Sequence, residues 1–440
     1  MSDKSIADTL GDDAQARARR QLEAPRPRPR LLRADRRQLL LQPTYLEDLI
    51  SEDHRARLVW TFVESLDLGA FLDNVESVEG RAGRPAIDPA VLITMWLYAT
   101  SVGVGSAREI ERLIREHDAY RWIAGGLEIS HRTLSGFRVD DAKRLDDLLV
   151  QCVTVFLLEG LMDLEDVAQD GMRVRASAGA ASFRRAETLA ECEESAREIV
   201  EQLKDDLEHD DGTLSERQKG ARKRAAREKL ERVQQAAREI EDVKKAKKKS
   251  DRHKARASTT DPQARVMHMP DGGFRPAYNA QFATDVDSQV VIGVDVTQSG
   301  SDMAQMVPMA ERVREVTGRL PTNWLVDGGY PAHEAINEME RIGCTVFAPP
   351  PVPKDSARDR YAAREDDSKA VATWRERMGE EAAKARYKLR AQCECVNARA
   401  RQCALKELTV RGIDKVRSVL IWFALAHNML RLQKLREAAC

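Results

Sequence analysis

Residues 184–256 are the stretch that most limits what this chain can fold into. They consist almost entirely of Glu, Lys, Arg, Ala and Gln, with sparse Leu, Ile and Val. This composition is typical of long exposed helices and cannot supply a core of its own. A polar break at residues 210–213 predicts a pair of antiparallel helices, inserted between two parts of the chain that do carry apolar patterns.

The C-terminal part of this stretch, residues 244–256, is dense in Lys and Arg. It would attract phosphate backbones without sequence preference. The alternative is a solvated helical hairpin with no partner. The formal net charge of the whole chain is −1, but because charges are segregated along it, near-neutrality does not exclude nucleic acid as a partner.

The part before the insertion is predicted to be helical. Residues 1–40, which include alternating Pro and Arg, favour a disordered basic arm. From 41 to 162 the apolar residues recur at helical spacing, and Asp88, Ser106 and Ser130 are expected to begin helices. Short helices joined by Gly turns are compatible with a helix-turn-helix DNA-binding domain, or with an ordinary bundle whose arginines are solvated. The candidate DNA-binding residues of this domain are Arg108, Arg112, Arg132 and Arg138.

After residue 162 the pattern changes to short apolar runs. Strands are predicted at 166–170, 277–284, 289–296, 324–326 and 344–347, and helices at 303–317, 332–342 and 373–405. With the insertion removed, this order predicts a mixed α/β sheet with a ribonuclease H-like fold over residues 163–440.

Cysteine usage and hydropathy indicate the cellular compartment of the protein. Seven Cys with irregular spacing argue against a disulfide framework and a zinc ribbon, and fit a reducing cytosol. The N-terminus lacks the apolar core of a signal peptide, and no run approaches the roughly 18 apolar residues of a membrane span. We therefore expect a soluble, intracellular protein with no membrane contact.

Three acidic residues are the candidate catalytic groups. Asp170 and Asp327 end predicted strands, and Glu394 lies in the closing helix. If the first and fourth strands are neighbours, the two aspartates lie side by side and Glu394 faces them. Two Asp and one Glu are a sufficient protein shell for two Mg²⁺ (or Mn²⁺) ions, which activate the attacking oxygen and stabilise the leaving oxygen in phosphodiester chemistry. Taken singly, each Asp before Gly can equally be a turn residue.

The closing helix carries a further pattern. Tyr387, Arg390 and Glu394 fall at i, i+3 and i+7, so a helix presents them on one face. Arg390 can then hold a phosphate with two hydrogen bonds while Glu394 reaches metal. The alternative is a solvated charged face.

These residues carry a family resemblance. The spacing Tyr387-x₂-Arg390-x₃-Glu394 is similar to the tyrosine-arginine-glutamate-lysine signature of DDE transposases of the IS4 and IS5 groups. Several shorter segments resemble the IS1182-type branch over roughly residues 40–435, namely 83–89, 106–113, 120–126, 131–138, 258–262, 272–279, 411–416 and 426–432.

The resemblance implies a DDE triad of Asp170, Asp327 and Glu394 that binds two Mg²⁺. It further implies cleavage at the terminal inverted repeats of an insertion sequence, attack of the freed 3′-hydroxyl on target DNA, and a homodimer on double-stranded DNA in the bacterial cytoplasm, associated with the nucleoid. The signature's final lysine is replaced by Arg401, which keeps the charge and is expected to clamp phosphate. Met172 stands where related chains often have Thr.

Two alternatives remain open at this point. A transposase-derived DNA-binding or regulatory protein would keep the fold without cutting, and a structure-selective nuclease would cut without joining. Outside the triad, Cys393 and Cys395 are expected to be free thiols, and His333 a surface or capping residue. The apolar stripe of Trp422, Phe423, Leu425 and Leu430 is expected to pack against the sheet or a partner subunit.

Overall fold

The computed structural model describes residue 16 and residues 43–73, 75, 77–78, 85–139, 142–209, 215–355, 358–403 and 405–439. The predicted basic arm over residues 1–40 therefore lies outside the described residues, apart from residue 16. Leu46–Cys440 form one compact unit, and one hydrophobic core extends from the helical part into the sheet. The predicted boundary near residue 162 stays a prediction. No helix in the described residues is long and apolar enough to cross a membrane.

The N-terminal part is helical, as predicted. Its helices are α1 (Arg55–Glu64), α2 (Gly69–Leu72), α3 (Pro89–Ser101), α4 (Ala107–Glu116), α5 (Asp118–Ala124), α6 (His131–Phe137) and α7 (Ala142–Leu158). The three predicted starts are confirmed, because the side chains of Asp88, Ser106 and Ser130 accept backbone N–H groups of the first turns of α3, α4 and α6. Helix α5 ends at Gly125, whose φ of 58° is the left-handed conformation that terminates helices.

A mixed sheet follows the helical part. Its strands are β1 (Asp166–Arg175), β4 (Arg265–His268), β5 (Phe274–Asp285), β6 (Val291–Thr297), β7 (Asn323–Leu325) and β8 (Thr345–Phe347), and a separate two-stranded pair consists of β2 (Phe183–Arg184) and β3 (Ala257–Ser258). Strand β1 lies in the middle, antiparallel to β5 and parallel to β7, and β8 extends the sheet beyond β7. Strands β4 and β6 share the other edge of β5.

The sheet agrees with the predicted strands and adds to them. The first and fourth predicted strands, β1 and β7, are neighbours, and the hairpin of β5 and β6 is confirmed. Strand β1 continues to Arg175 and β4 is an additional strand, because both pair with the long strand β5, a non-local interaction that a local pattern does not reveal.

The insertion forms the predicted pair of helices. Helix α8 (Ala186–Glu208) and helix α9 (Glu216–Lys245) are antiparallel, because Leu189 near the start of α8 packs with Ile240 near the end of α9. Ser215 begins α9 with a reciprocal capping box to Gln218. The insertion leaves and rejoins the sheet-containing part through the β2–β3 pair.

The remaining helices are α10 (Met306–Thr317), α11 (His333–Arg341), α12 (Lys369–Gly379), α13 (Glu381–Lys388), α14 (Ala391–Gln402) and α15 (Ile413–Ala439). The prediction of a single closing helix over residues 373–405 was wrong, because α12, α13 and α14 occupy this range. The chain leaves α12 through extended backbone at Glu380 and bends again at Leu389–Arg390. Tyr387 therefore lies in α13, Arg390 at the start of α14 and Glu394 in its first turn.

Helix α15 packs against the sheet, as its apolar stripe predicts. Phe423 forms an edge-on ring pair with Phe282 of β5, with ring centres 5.5 Å apart. The Asn428 side chain accepts from the backbone N–H and donates to the backbone carbonyl of Val291, at 2.8 Å each. The side chain of His427 bonds the carbonyl of Gln289, at 2.9 Å. The helix thus provides hydrogen-bond partners for backbone groups on the unpaired edge at the start of β6. Without α15 these groups would be buried without partners.

Asn428→Ala should lower the free energy of unfolding by about 2–4 kcal/mol, because one buried N–H and one buried carbonyl lose their partners. Urea unfolding followed by tryptophan fluorescence measures the change. Lys434→Ala, an exposed substitution on the same helix, is the matched control and should change stability by no more than about 0.5 kcal/mol. Equal stability of the two variants would contradict the role assigned to Asn428.

His427 should make the fold acid-sensitive. Burial lowers the pKa of His427 to about 4, against about 6.5 in the unfolded chain. Its Nδ1 is buried without a partner among the described residues. The unfolded chain therefore binds the extra proton first, so the stabilising contribution is complete above pH 6.5 and is lost as the pH falls towards 4.

The size of this loss follows from the two pKa values and is about 3 kcal/mol. Unfolding free energies measured from pH 7 to pH 4 should fall more steeply for the wild-type protein than for His427→Gln, which has no titrating ring. Parallel curves for the two proteins would show that His427 does not titrate as described.

Candidate active site

Asp170 and Asp327 follow the paired segment of two neighbouring parallel strands. Ala168 of β1 is paired with Leu325 of β7; Asp170 lies two residues further along β1, and Asp327 lies two residues beyond the end of β7. The negative charge of Asp327 contributes to raising the pKa of Asp170. The sheet therefore brings together two acids that are 157 positions apart in the sequence.

The Asp170 carboxylate is held by two side chains of the closing segment. Asn397 donates from Nδ2 to Oδ2 of Asp170 at 2.7 Å, and Nη1 of Arg390 lies 3.9 Å from Oδ1. Burial is the main reason that the pKa of Asp170 lies above its ordinary value, while the charge of Arg390 lowers it and that of Asp327 raises it. Burial thus disfavours the ionised form of this carboxylate, and a nearby positive charge favours it.

Glu394 is connected to this pair through Arg390. Nη2 of Arg390 donates to Oε1 of Glu394 at 2.8 Å, and its guanidinium lies 6.0 Å from the centre of the Tyr387 ring. The Glu394 side chain is 60% exposed, whereas that of Asp170 is 19% exposed. The face shared by Tyr387, Arg390 and Glu394 is therefore present despite the bend between α13 and α14, and Arg390 contacts two of the three acids.

The chemistry of these donors suits a hard divalent cation. The amide oxygen of Asn397 is buried beside Asp170 and accepts no hydrogen bond within the described residues. An unpartnered oxygen next to a buried carboxylate is a fitting ligand set for Mg²⁺. Across the described part of the chain, no group of three His, Cys, Asp or Glu side chains is arranged to hold a metal; Glu394 is paired with Arg390 instead.

A buried polar network under the two aspartates was missed by sequence reasoning. Tyr330 donates its hydroxyl to Oε1 of Gln281 at 2.6 Å, and Gln281 in turn donates to Asp302 at 2.7 Å. Asn279 and Arg173 also donate to Asp302. Burial, with the charges of Asp302, Asp170 and Asp327, raises the pKa of Tyr330. The sequence signal was the alternation of polar Asn279 and Gln281 with apolar neighbours in the middle of strand β5.

Gly171 is required by this network. A Cβ atom at this position would lie 2.4 Å from Oδ1 of Asp302 and 2.5 Å from Nε2 of Gln281. The glycine after Asp170 therefore reflects the close approach of Asp302 rather than a turn, since Asp170 and Gly171 lie within β1.

The other predicted residues lie apart from this cluster. Arg108, Arg132 and Arg401 are exposed, and Arg112 is exposed but paired with Glu109 and Glu116. Arg138 is 8% exposed, donates to the Gly105 carbonyl at 2.8 Å and lies 4.5 Å from the Trp96 ring centre. Burial lowers its pKa to about 10. These contacts favour a packing role for Arg138 over one in DNA binding.

The predicted bystander residues are placed as follows. Cys393 is buried, with its pKa raised to about 12 by burial, and Cys395 is exposed on the other side of α14; both are free thiols. Nε2 of His333, at the start of α11, lies 3.3 Å from Nη2 of Arg375.

Gly171→Ala should lower the free energy of unfolding by about 1–3 kcal/mol, because the added methyl group overpacks the site beside Asp302. Gly300→Ala is the matched control, since a Cβ there meets only Cγ of Met267, at 3.8 Å. Chemical denaturation of both variants checks this, and a Gly171→Ala protein as stable as the control would refute the close approach.

Comparison with known families agrees with the geometry. Residues 44–140 match the family model described as transposase domain (DUF772), and residues 250–429 match the one described as transposase DDE domain. The second match includes Asp327 and Glu394, whereas Asp170 lies between the two matched regions. No curated protein and no solved structure matches the chain. The chain is therefore similar to transposase domains over two separate stretches, residues 44–140 and 250–429.

Proposed function

We propose that this protein binds the terminal inverted repeats of an insertion sequence, cleaves DNA strands there and joins the freed ends to target DNA. The observation that carries the proposal is the parallel pairing of β1, which carries Asp170, with β7, which Asp327 follows, together with the link from Glu394 to Asp170 through Arg390. Acids from three separate elements meeting beside a cationic side chain are typical of phosphoryl-transfer sites.

The catalytic part is proposed to have a ribonuclease H-like fold. The strand order β6-β5-β1-β7-β8 supports this, because its first three strands are antiparallel and β1, β7 and β8 are parallel. In this arrangement Asp170 lies in β1 two residues beyond its last pairing with β7, and Asp327 follows the carboxyl end of β7, the kind of position where open α/β sheets commonly bind ligands.

Asp170, Asp327 and Glu394 are proposed to hold two Mg²⁺ or Mn²⁺ ions, which when bound activate the attacking oxygen and stabilise the leaving oxygen. Asn397 orients the Asp170 carboxylate through its 2.7 Å hydrogen bond. Arg390 binds the phosphate of the substrate, and because it is already paired with Glu394, phosphate binding would release Glu394 towards the two aspartates. Tyr387 supports the Arg390 guanidinium and positions DNA, and Arg401 contacts the backbone further along.

The helical part is proposed to recognise the DNA ends. Arg108 and Arg132 are exposed on α4 and α6, which suits contacts to phosphates or bases. We further propose the IS1182-type branch and a homodimer on double-stranded DNA, both from the resemblance of the motifs.

A DNA-binding protein that no longer cuts is the second candidate. The Arg390–Glu394 ion pair favours it, since this pair occupies one of the three acids. Strand cleavage of a cognate-end substrate distinguishes the two candidates.

Asp170→Asn and Glu394→Gln should each reduce Mg²⁺-dependent strand cleavage by at least about a hundredfold, because each removes a proposed metal ligand. The assay uses a labelled duplex with the inverted repeat from the flanks of the gene. Glu376→Gln, an exposed acid on α12, is the control and should cleave normally. Wild-type strand transfer by either triad variant would rule out the assigned mechanism.

A further inference from the structure

A second polar groove lies at the base of the helical insertion. It has a volume of about 710 Å³ and runs between the end of α9, strand β4 and the loop after β6. Four basic side chains line it, from Lys247, Lys254, Arg256 and Arg265, against a single acid, Asp242. The hydroxyls of Ser299 and Ser301 are also in its wall. Cations together with hydroxyl donors are the groups that bind phosphodiesters.

Two of these cations are available to a ligand. Lys254 is paired with Asp251, and Arg265 with Glu239, while Asp242 is paired with Lys245. In the described part of the chain, Lys247 and Arg256 have no carboxylate within ion-pair distance, and both are exposed. The groove thus presents two uncompensated positive charges.

The groove is linked to the polar network behind the candidate active site by hydrogen bonds. Its wall includes Gly300, whose carbonyl accepts a hydrogen bond from Arg173 of β1 at 2.8 Å. The same Arg173 bonds Asp302, which lies directly beside Gly171. The groove is thus anchored to β1, the strand that carries Asp170.

An exposed aromatic surface extends the groove on its other side. Val266 lines it, and His268 follows on the same face of β4. His268 pairs across the hairpin with Phe274, and their rings are edge-on with centres 5.1 Å apart. Phe274 is 70% exposed and Val266 is 51% exposed. The opposite face of the hairpin is buried through Met267 and Met269, so the exposed face is not needed for packing.

We propose that this groove binds a single-stranded stretch of the DNA substrate. Lys247 and Arg256 bind phosphates, and Phe274 with His268 stacks on an unpaired base. A positively charged groove that ends on exposed aromatic rings is the combination that binds single strands without sequence preference. The proposal rests on the proposed function in assuming that the substrate is DNA.

The test measures binding of a short mixed-sequence single strand and of its duplex, by fluorescence anisotropy in EDTA so that no cleavage occurs. Phe274→Ala should weaken single-strand binding by at least about fivefold, the lower end of base stacking on an aromatic ring, and leave duplex binding unchanged. Leu158→Ala, which also removes a highly exposed apolar side chain, is the control and should leave both affinities unchanged.

The phosphate contacts have their own readout. A plot of the logarithm of the single-strand binding constant against the logarithm of salt concentration gives a slope. The double variant Lys247→Ala/Arg256→Ala should lower the magnitude of this slope by roughly 0.7 for each lost phosphate contact. The control, Arg222→Ala/Lys229→Ala, removes two exposed cations from α9 that are roughly 20 Å or more from the groove along the helix. Circular dichroism verifies that all variants are folded.

The outcomes separate this proposal from the proposed function. If the wild-type protein cleaves cognate ends but the groove variants bind the single strand as tightly and with the same salt dependence, the groove proposal is wrong and the transposase proposal stands. If no DNA is cleaved but the groove variants lose single-strand binding, the groove proposal stands and the transposase proposal is wrong. Equal loss of duplex and single-strand binding in Phe274→Ala would also overturn the single-strand assignment.

Discussion

The pairing of β1 with strands on both of its sides is the constraint on which the rest of the structure depends. Strand β1 is antiparallel to β5 and parallel to β7, so it connects segments separated by more than 100 residues of chain. Loop-closure entropy rises only slowly with loop length, so the long insertion adds little to the cost of this pairing. Because the pairing register fixes which residues are neighbours, it brings Asp170 beside Asp327 and aligns Gln281 with Gly171.

The two faces of the sheet have different tasks around Asp170. On one face α14 supplies Arg390 and Asn397 to the carboxylate, while on the other Tyr330, Gln281 and Asp302 form a continuous polar network. Buried hydrogen bonds of this kind favour one arrangement of their members, because a shift would leave more unpaired groups in a low dielectric. The acids are therefore held by rigid elements, apart from the exposed Glu394, whose position depends on its pairing with Arg390.

Local patterns predicted most of the elements, and the convergence of the two aspartates was conditional on the first and fourth predicted strands being neighbours, as β1 and β7 are. The interruption between α13 and α14 was not predictable, because residues 373–402 have helix-favouring composition throughout. The burial of Arg138 was not predictable either. The local sequence indicates a solvated arginine, and only the tertiary structure places it over the ring of Trp96. The link between Asp302 and Gly171 is also a tertiary contact with no local signature.

The β2–β3 pair has a consequence for how this chain can change. Phe183 faces Ser258 and Arg184 faces Ala257 across two antiparallel strands, so the insertion begins and ends about one strand spacing, roughly 5 Å, apart. A tight turn could bridge that distance. The helical hairpin can therefore be lengthened, shortened or removed without altering the path of any strand that carries an acid. Evolution or a protein engineer can exchange it as one unit.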